Sequence, residues 1–172
     1  MRLYRGKIPL ISEEMTRGLV ASGAIEVETD LVSEVILDVE AVLKEYIRVD
    51  RSLTEEAKDV IAARKMDYSA LHKVRSKLAS RRGFGINEKA YDWILEQLVE
   101  VLMHSRNVDE VYAEDHELRR AMIVVLRKHT DMENELDRQV RNKIKNLQEG
   151  TQNWDVEYQK VLGDLRKTKG LE

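Results

Sequence analysis

From Val32 the apolar residues fall at Val32, Val35, Val39, Val42, Tyr46, Val49 and Leu53, an alternation of three and four that draws one narrow stripe along a helix. A chain carrying such a stripe has to bury it against another helix. From Leu118 the rhythm returns as Leu118, Met122, Val125, His129, Met132 and Leu136, each 83 residues after its counterpart between Val35 and Leu53. Ala57 and Ile61 likewise fall opposite Val140 and Ile144. The pattern predicts two helical units, residues 1–85 and 86–172, related as a pseudo-repeat.

Each unit reads as a helix, a short extended piece, a long helix and a closing helix. Ile11-Ser12-Glu13-Glu14 resembles Ile86-Asn87-Glu88-Lys89, with Ser12 and Asn87 as natural N-caps whose side chains accept from free backbone N–H groups. Ile25-Glu26-Val27-Glu28 and Val108 to Tyr112 are the extended pieces, with room for very short strands. The closing helices are Ser69 to Arg82 and about Gln152 to Lys167. Gly23 offers a positive-φ stop, Gly83 and Gly85 make the mid-chain turn, and Gly150 ends the second long helix. The expected fold is all-α, a helical bundle whose two units are either packed together or drawn out.

Composition narrows the class. With 35% charged and 42% hydrophobic residues, one proline and eight glycines in 172 residues, the chain suits amphipathic helices and holds no obvious flexible linker. It has no cysteine, which excludes disulfides, a thiolate nucleophile and Cys-type zinc sites. No apolar run approaches the roughly 20 residues needed to cross a bilayer, and the first residues carry no signal-peptide core, so a cytoplasmic protein without membrane contact is expected. The net charge of −3 leaves neither half basic enough to declare a nucleic-acid binder by itself.

Catalytic patterns are missing. Three residues before His72, His104, His116 and His129 stand Ser69, Val101, Ala113 and Leu126, so no histidine has the Glu-x-x-His spacing of a bundle metal site. There is no His-Glu-x-x-His, Gly-x-Ser-x-Gly or Gly-x-x-x-x-Gly-Lys. No enzyme and no cofactor is expected. His129 stands on the stripe where the first unit has Tyr46, and reads as a seam residue. Glu114, Asp115, His116 and Glu117 together would suit a hard divalent ion, giving a metal-binding protein or metal-dependent hydrolase as the alternative. Their place at a helix start makes capping the simpler role.

The stretch from Arg64 to Arg82 carries Arg64, Lys65, Lys73, Arg75, Lys77, Arg81 and Arg82 against the single acid Asp67. With Leu71, Val74 and Leu78 as its buried face, the closing helix would present Lys73, Lys77 and Arg81 at i, i+4 and i+8, a row about 12 Å long that could follow a phosphate backbone. Arg82, two glycines and Phe84 come next, the last as an aromatic for base stacking. Set against this is pairing within the protein to the acid-rich helix holding Glu28, Asp30, Glu34, Asp38, Glu40 and Glu45. The second closing helix has only Lys160, Arg166 and Lys167 beside Asp155, Glu157 and Asp164, so the basic row is not demanded by the unit's fold. Trp93 reads as core, and Trp154 as an anchor for the last helix.

Four segments resemble a known family: Met1 to Ile11 (MRLYRGKIPLI), Arg82-Gly83-Phe84-Gly85, Asn107 to Arg120 (NVDEVYAEDHELRR) and Ile144 to Thr151 (IKNLQEGT). The chain resembles, over essentially its whole length, the bacterial family catalogued as domain of unknown function 507. That resemblance implies a helical bacterial cytoplasmic protein and supplies no reaction, cofactor or partner. The expected function is therefore a non-enzymatic interaction protein with a macromolecular partner, RNA or the ribosome through Lys73, Lys77, Arg81 and Arg82, or else a protein. Self-association through exposed seam is the third expectation, with the oligomeric state open.

Overall fold

The computed structural model describes residue 1 and residues 3–168, with the side chains at 132 and 133 excepted. Among the described residues, six helices and one two-stranded sheet make an all-α bundle: α1 (Ile8–Ala21), β1 (Ile25–Glu26), α2 (Val32–Ala63), α3 (Leu71–Arg81), α4 (Ala90–His104), β2 (Glu110–Val111), α5 (Asp115–Lys143) and α6 (Gln152–Thr168). Among the described residues no helix is long and apolar enough to cross a membrane.

Helix α1 starts earlier than its expected cap. Pro9 occupies its first turn, where a missing N–H costs nothing and the fixed φ suits a helix, so the chain is already helical when it reaches Ser12. Ser12 lies fully buried within α1, and its Oγ has no hydrogen-bond partner. Asn87 does not cap α4 either. It has φ 56° and opens the 3₁₀ turn Asn87–Lys89 ahead of that helix. The expected glycine stop after α1 is present: Gly23 has φ 71°, and Ala24 N–H reaches back to Leu19 O at 3.0 Å, closing the helix end. Gly150 has φ 85° but stands in the loop before α6, since α5 ends at Lys143.

The two extended pieces pair with one another. Ile25 faces Val111 and Glu26 faces Glu110 in an antiparallel register. Asp109 N–H donates to Glu26 O at 2.9 Å, Tyr112 N–H to Ala24 O at 3.0 Å, and Glu28 N–H to Asp109 Oδ2 at 3.1 Å. Backbone groups that would otherwise lie unpaired between helices are satisfied in this way.

The chain divides into two compact units, one of Met1 and Leu3–Arg127 and one from Lys128 onward, so helix α5 contributes its first half to one and its second half to the other. This division by compactness falls elsewhere than the 85/86 boundary expected from the apolar rhythm. The first unit buries Ile8, Ile11, Met15 and Leu19 of α1 with Val35, Val39, Leu43 and Tyr46 of α2, Ile94 and Leu98 of α4, and Leu118, Met122 and Leu126 of α5. The second encloses Leu136, Val140 and Ile144 with Tyr158, Leu162 and Leu165.

The α2 stripe is buried nearly as the rhythm requires, with Val32 and Val49 half-buried at its edges. Along α5 the buried path runs Leu118, Met122, Leu126, Thr130, in steps of four. Val125 and His129 are consequently half-buried flanks, so His129 is not the seam residue its match with Tyr46 suggested. The stripe position at Met132 falls outside the described side chains.

Candidate functional site

Helix α3 is set by chemistry at both ends. Asp67 accepts from Ser69 N–H at 2.8 Å and opens the 3₁₀ turn Tyr68–Ala70 that leads into it. The Ser69 hydroxyl and backbone N–H hold the Asp67 carboxyl below its ordinary pKa by stabilising the charged form. At the far end Phe84 N–H donates to Ala79 O at 2.9 Å and Gly83 N–H to Ser80 O at 3.2 Å, with Gly83 at φ 61°.

That ending removes two parts of the expected phosphate cradle. The amides of Gly83 and Phe84 are spent closing α3. The Phe84 ring is buried, stacked on Tyr46 at 5.1 Å and tilted against Trp93 at 4.8 Å, so it is core and is turned away from any base. Gly85 is there for close approach: a Cβ would stand 2.1 Å from Lys89 O and 2.7 Å from the Trp93 Cβ. The Arg-Gly-Phe-Gly turn is a packing device that docks α4 against α2.

The basic residues separate into two sets. Arg75 forms an ion pair with Asp50 of α2, and Arg82 forms one with Glu56 of the same helix. Burial first, and the Asp50 carboxylate second, push the neighbouring Tyr46 phenol far above its ordinary pKa and keep it neutral. Lys73, Lys77 and Arg81 point outward, exposed, with no ion pair to any described residue. Internal pairing thus exists, but to Asp50 and Glu56. Among the acids expected to provide it, Glu40 binds Lys44, Glu45 binds Arg48, and Asp38 accepts from Ser105 Oγ at 2.7 Å and Asn107 Nδ2 at 3.1 Å. The helix's apolar face also differs from expectation. Ala79 is its one buried residue, and Leu71, Val74 and Leu78 are half-buried.

The acidic cluster behaves as a helix start. Glu117 Oε2 accepts from Glu114 N–H at 2.9 Å, one half of a capping box, and Asp115 binds Arg119 at 3.0 Å. His116 Nδ1 lies 3.2 Å from a Glu114 carboxylate oxygen, and all four side chains are exposed. Among the described residues no group of three or more metal-ligating side chains converges on one point. Trp93 joins the core ring cluster, while Trp154 stacks on Tyr158 at 4.9 Å beneath the Arg141 guanidinium, 5.4 Å away.

A family profile described as "Protein of unknown function (DUF507)" matches residues 1–171, and the chain belongs to that family. No curated protein matches it.

Proposed function

We propose that this DUF507 member is a non-enzymatic interaction protein that receives an anionic macromolecular partner on the outward face of α3. The observation that carries the reading is the division of the basic stretch: Arg75 and Arg82 hold α3 to α2, whereas Lys73, Lys77 and Arg81, at i, i+4 and i+8, form no ion pair with any described residue. Cations left in a row without an internal partner attract polyanions, and the interaction weakens as salt rises. Arg82, one of the four residues picked out by the sequence, contributes less to this face because Glu56 already neutralises it.

The test is binding of the purified full-length chain to a labelled RNA pool and to labelled acidic peptides, titrated at low and moderate salt. Salt-sensitive binding to at least one polyanion, weakened tenfold or more by Lys73→Glu, Lys77→Glu and Arg81→Glu together, is the expected result. Circular dichroism should show the variant folded, since exposed unpaired residues usually change stability by no more than about 0.5 kcal/mol. Binding to neither class, or binding indifferent to the charge reversal, ends the reading.

A further inference from the structure

The outward cations of α3 do not stand on a polar surface. Beside them, between α3 and the end of α2, runs an open groove of about 210 Å³ lined by Val60, Met66, Val74 and Leu78. Arg64, Lys73, Lys77 and Arg81 line the same groove, and no Asp or Glu does. The groove exists because α3 packs thinly: Ala79 is enclosed, while Val74 and Leu78 on the same helix keep part of their apolar surface in water. Covering that surface is favourable by about 25 cal/mol for each Å² removed from water. The volume falls below the roughly 300–1,000 Å³ usual for small-molecule pockets. Its open shape suits side chains inserted from a surface laid along it.

We propose that this groove seats an acidic amphipathic helix of a partner protein. Apolar side chains at i, i+3 or i+4 and i+7 of that helix fill the space between α2 and α3, and flanking Asp or Glu residues pair with Arg64, Lys73, Lys77 and Arg81. The proposal rests on the reading that α3 receives an anionic partner and names the partner's class.

Two observations select a peptide helix over a nucleic acid. A phosphate strand would satisfy the cations but leave the apolar lining uncovered, and non-specific strand binding draws on exposed aromatic platforms. No aromatic lines the groove, and Phe84, in the turn that follows α3, is locked between Tyr46 and Trp93. The cation row from Lys73 to Arg81 extends about 12 Å, matching roughly two turns of a partner helix.

The experiment is selection from a displayed library of random 16-residue peptides on the full-length protein, with a random RNA pool assayed in parallel. Enriched peptides should carry the apolar spacing with acidic flanks, and should bind at least tenfold more weakly to Val74→Ser and to Lys77→Glu. Val60→Ser provides a second lining variant should Val74→Ser fail to fold. Acidic peptides that lack the apolar spacing, or that bind Val74→Ser and Val60→Ser as tightly as the parent while Lys77→Glu weakens them, overturn the inference while the anionic-partner reading stands; binding unaffected by Lys77→Glu overturns both. RNA binding tighter than the best peptide has the same consequence. Binding of neither peptide nor RNA overturns both.

Discussion

The two closing helices occupy equivalent places in the pseudo-repeat expected from the sequence, yet they are held in different ways. Helix α6 is held by packing: Tyr158, Leu162 and Leu165 are buried against Leu136, Val140 and Ile144, and the Tyr158 hydroxyl donates to Asp137 at 2.6 Å. Its polar contacts close over that core, with Arg141 bound to Asp137 and Glu149, each at 2.8 Å, and lying over the Trp154 ring. Helix α3 encloses one alanine and is fastened to α2 through Arg75–Asp50 and Arg82–Glu56. A helix fastened by its charged edge leaves its apolar face incompletely covered. The contrast teaches what fastens each helix: α6 buries three large side chains while leaving Val156 exposed, whereas α3 encloses only Ala79 and keeps Leu71, Val74 and Leu78 half-buried.

The comparison breaks most decisively at Tyr158. Replacing this fully buried ring by alanine should destabilise the second unit by about 3–5 kcal/mol, while Val74→Ala on α3 should cost about 1 kcal/mol or less. Denaturant titration with hydrogen exchange on α3 and α6 measures both, and similar losses at the two sites would refute the contrast. A smaller effect is expected at the ionic fastening. Arg75→Ala removes a partly buried pair and leaves Asp50 without its partner, for about 1–3 kcal/mol. Amide protection should fall in α3 and remain in α6. The smallest effect is a pH dependence at the start of α3. Asp67 has its pKa lowered by folding, so its contribution is fully present above the ordinary carboxylate pKa and is lost as pH falls through the lowered value. Protection of the amides at residues 68–71, taken relative to their intrinsic exchange rates, should fall with acid in the parent chain and be flat across that range in Asp67→Asn.

Much of the architecture was legible in the residues because it depends on local periodicity. The stripe from Val35 to Ile61, the stop at Gly23 and the limits of α6 follow from helix period, glycine φ and chain polarity. Ser12 and Asn87 misled because a residue good at capping says nothing about Pro9 starting the helix a turn earlier, or about a left-handed φ at position 87. The stripe on α5 drifted from Val125 and His129 to Leu126 and Thr130 because neighbouring helices decide which of two adjacent positions is covered.

At the candidate site, sequence order alone placed Lys73, Lys77 and Arg81 on one exposed edge, since a spacing of four is fixed by the helix itself. It could not show that Arg82 pairs with Glu56, that Phe84 lies inside, or that Arg64 joins the row across a groove lined by Val60. Those facts join residues far apart in the chain. The sequence by itself determined the helices, their stripes and the family. Which faces meet, that Ile25 pairs with Val111, and which cations are left without partners were decided by the tertiary structure, because burial and ion pairing are set by what the rest of the chain brings alongside.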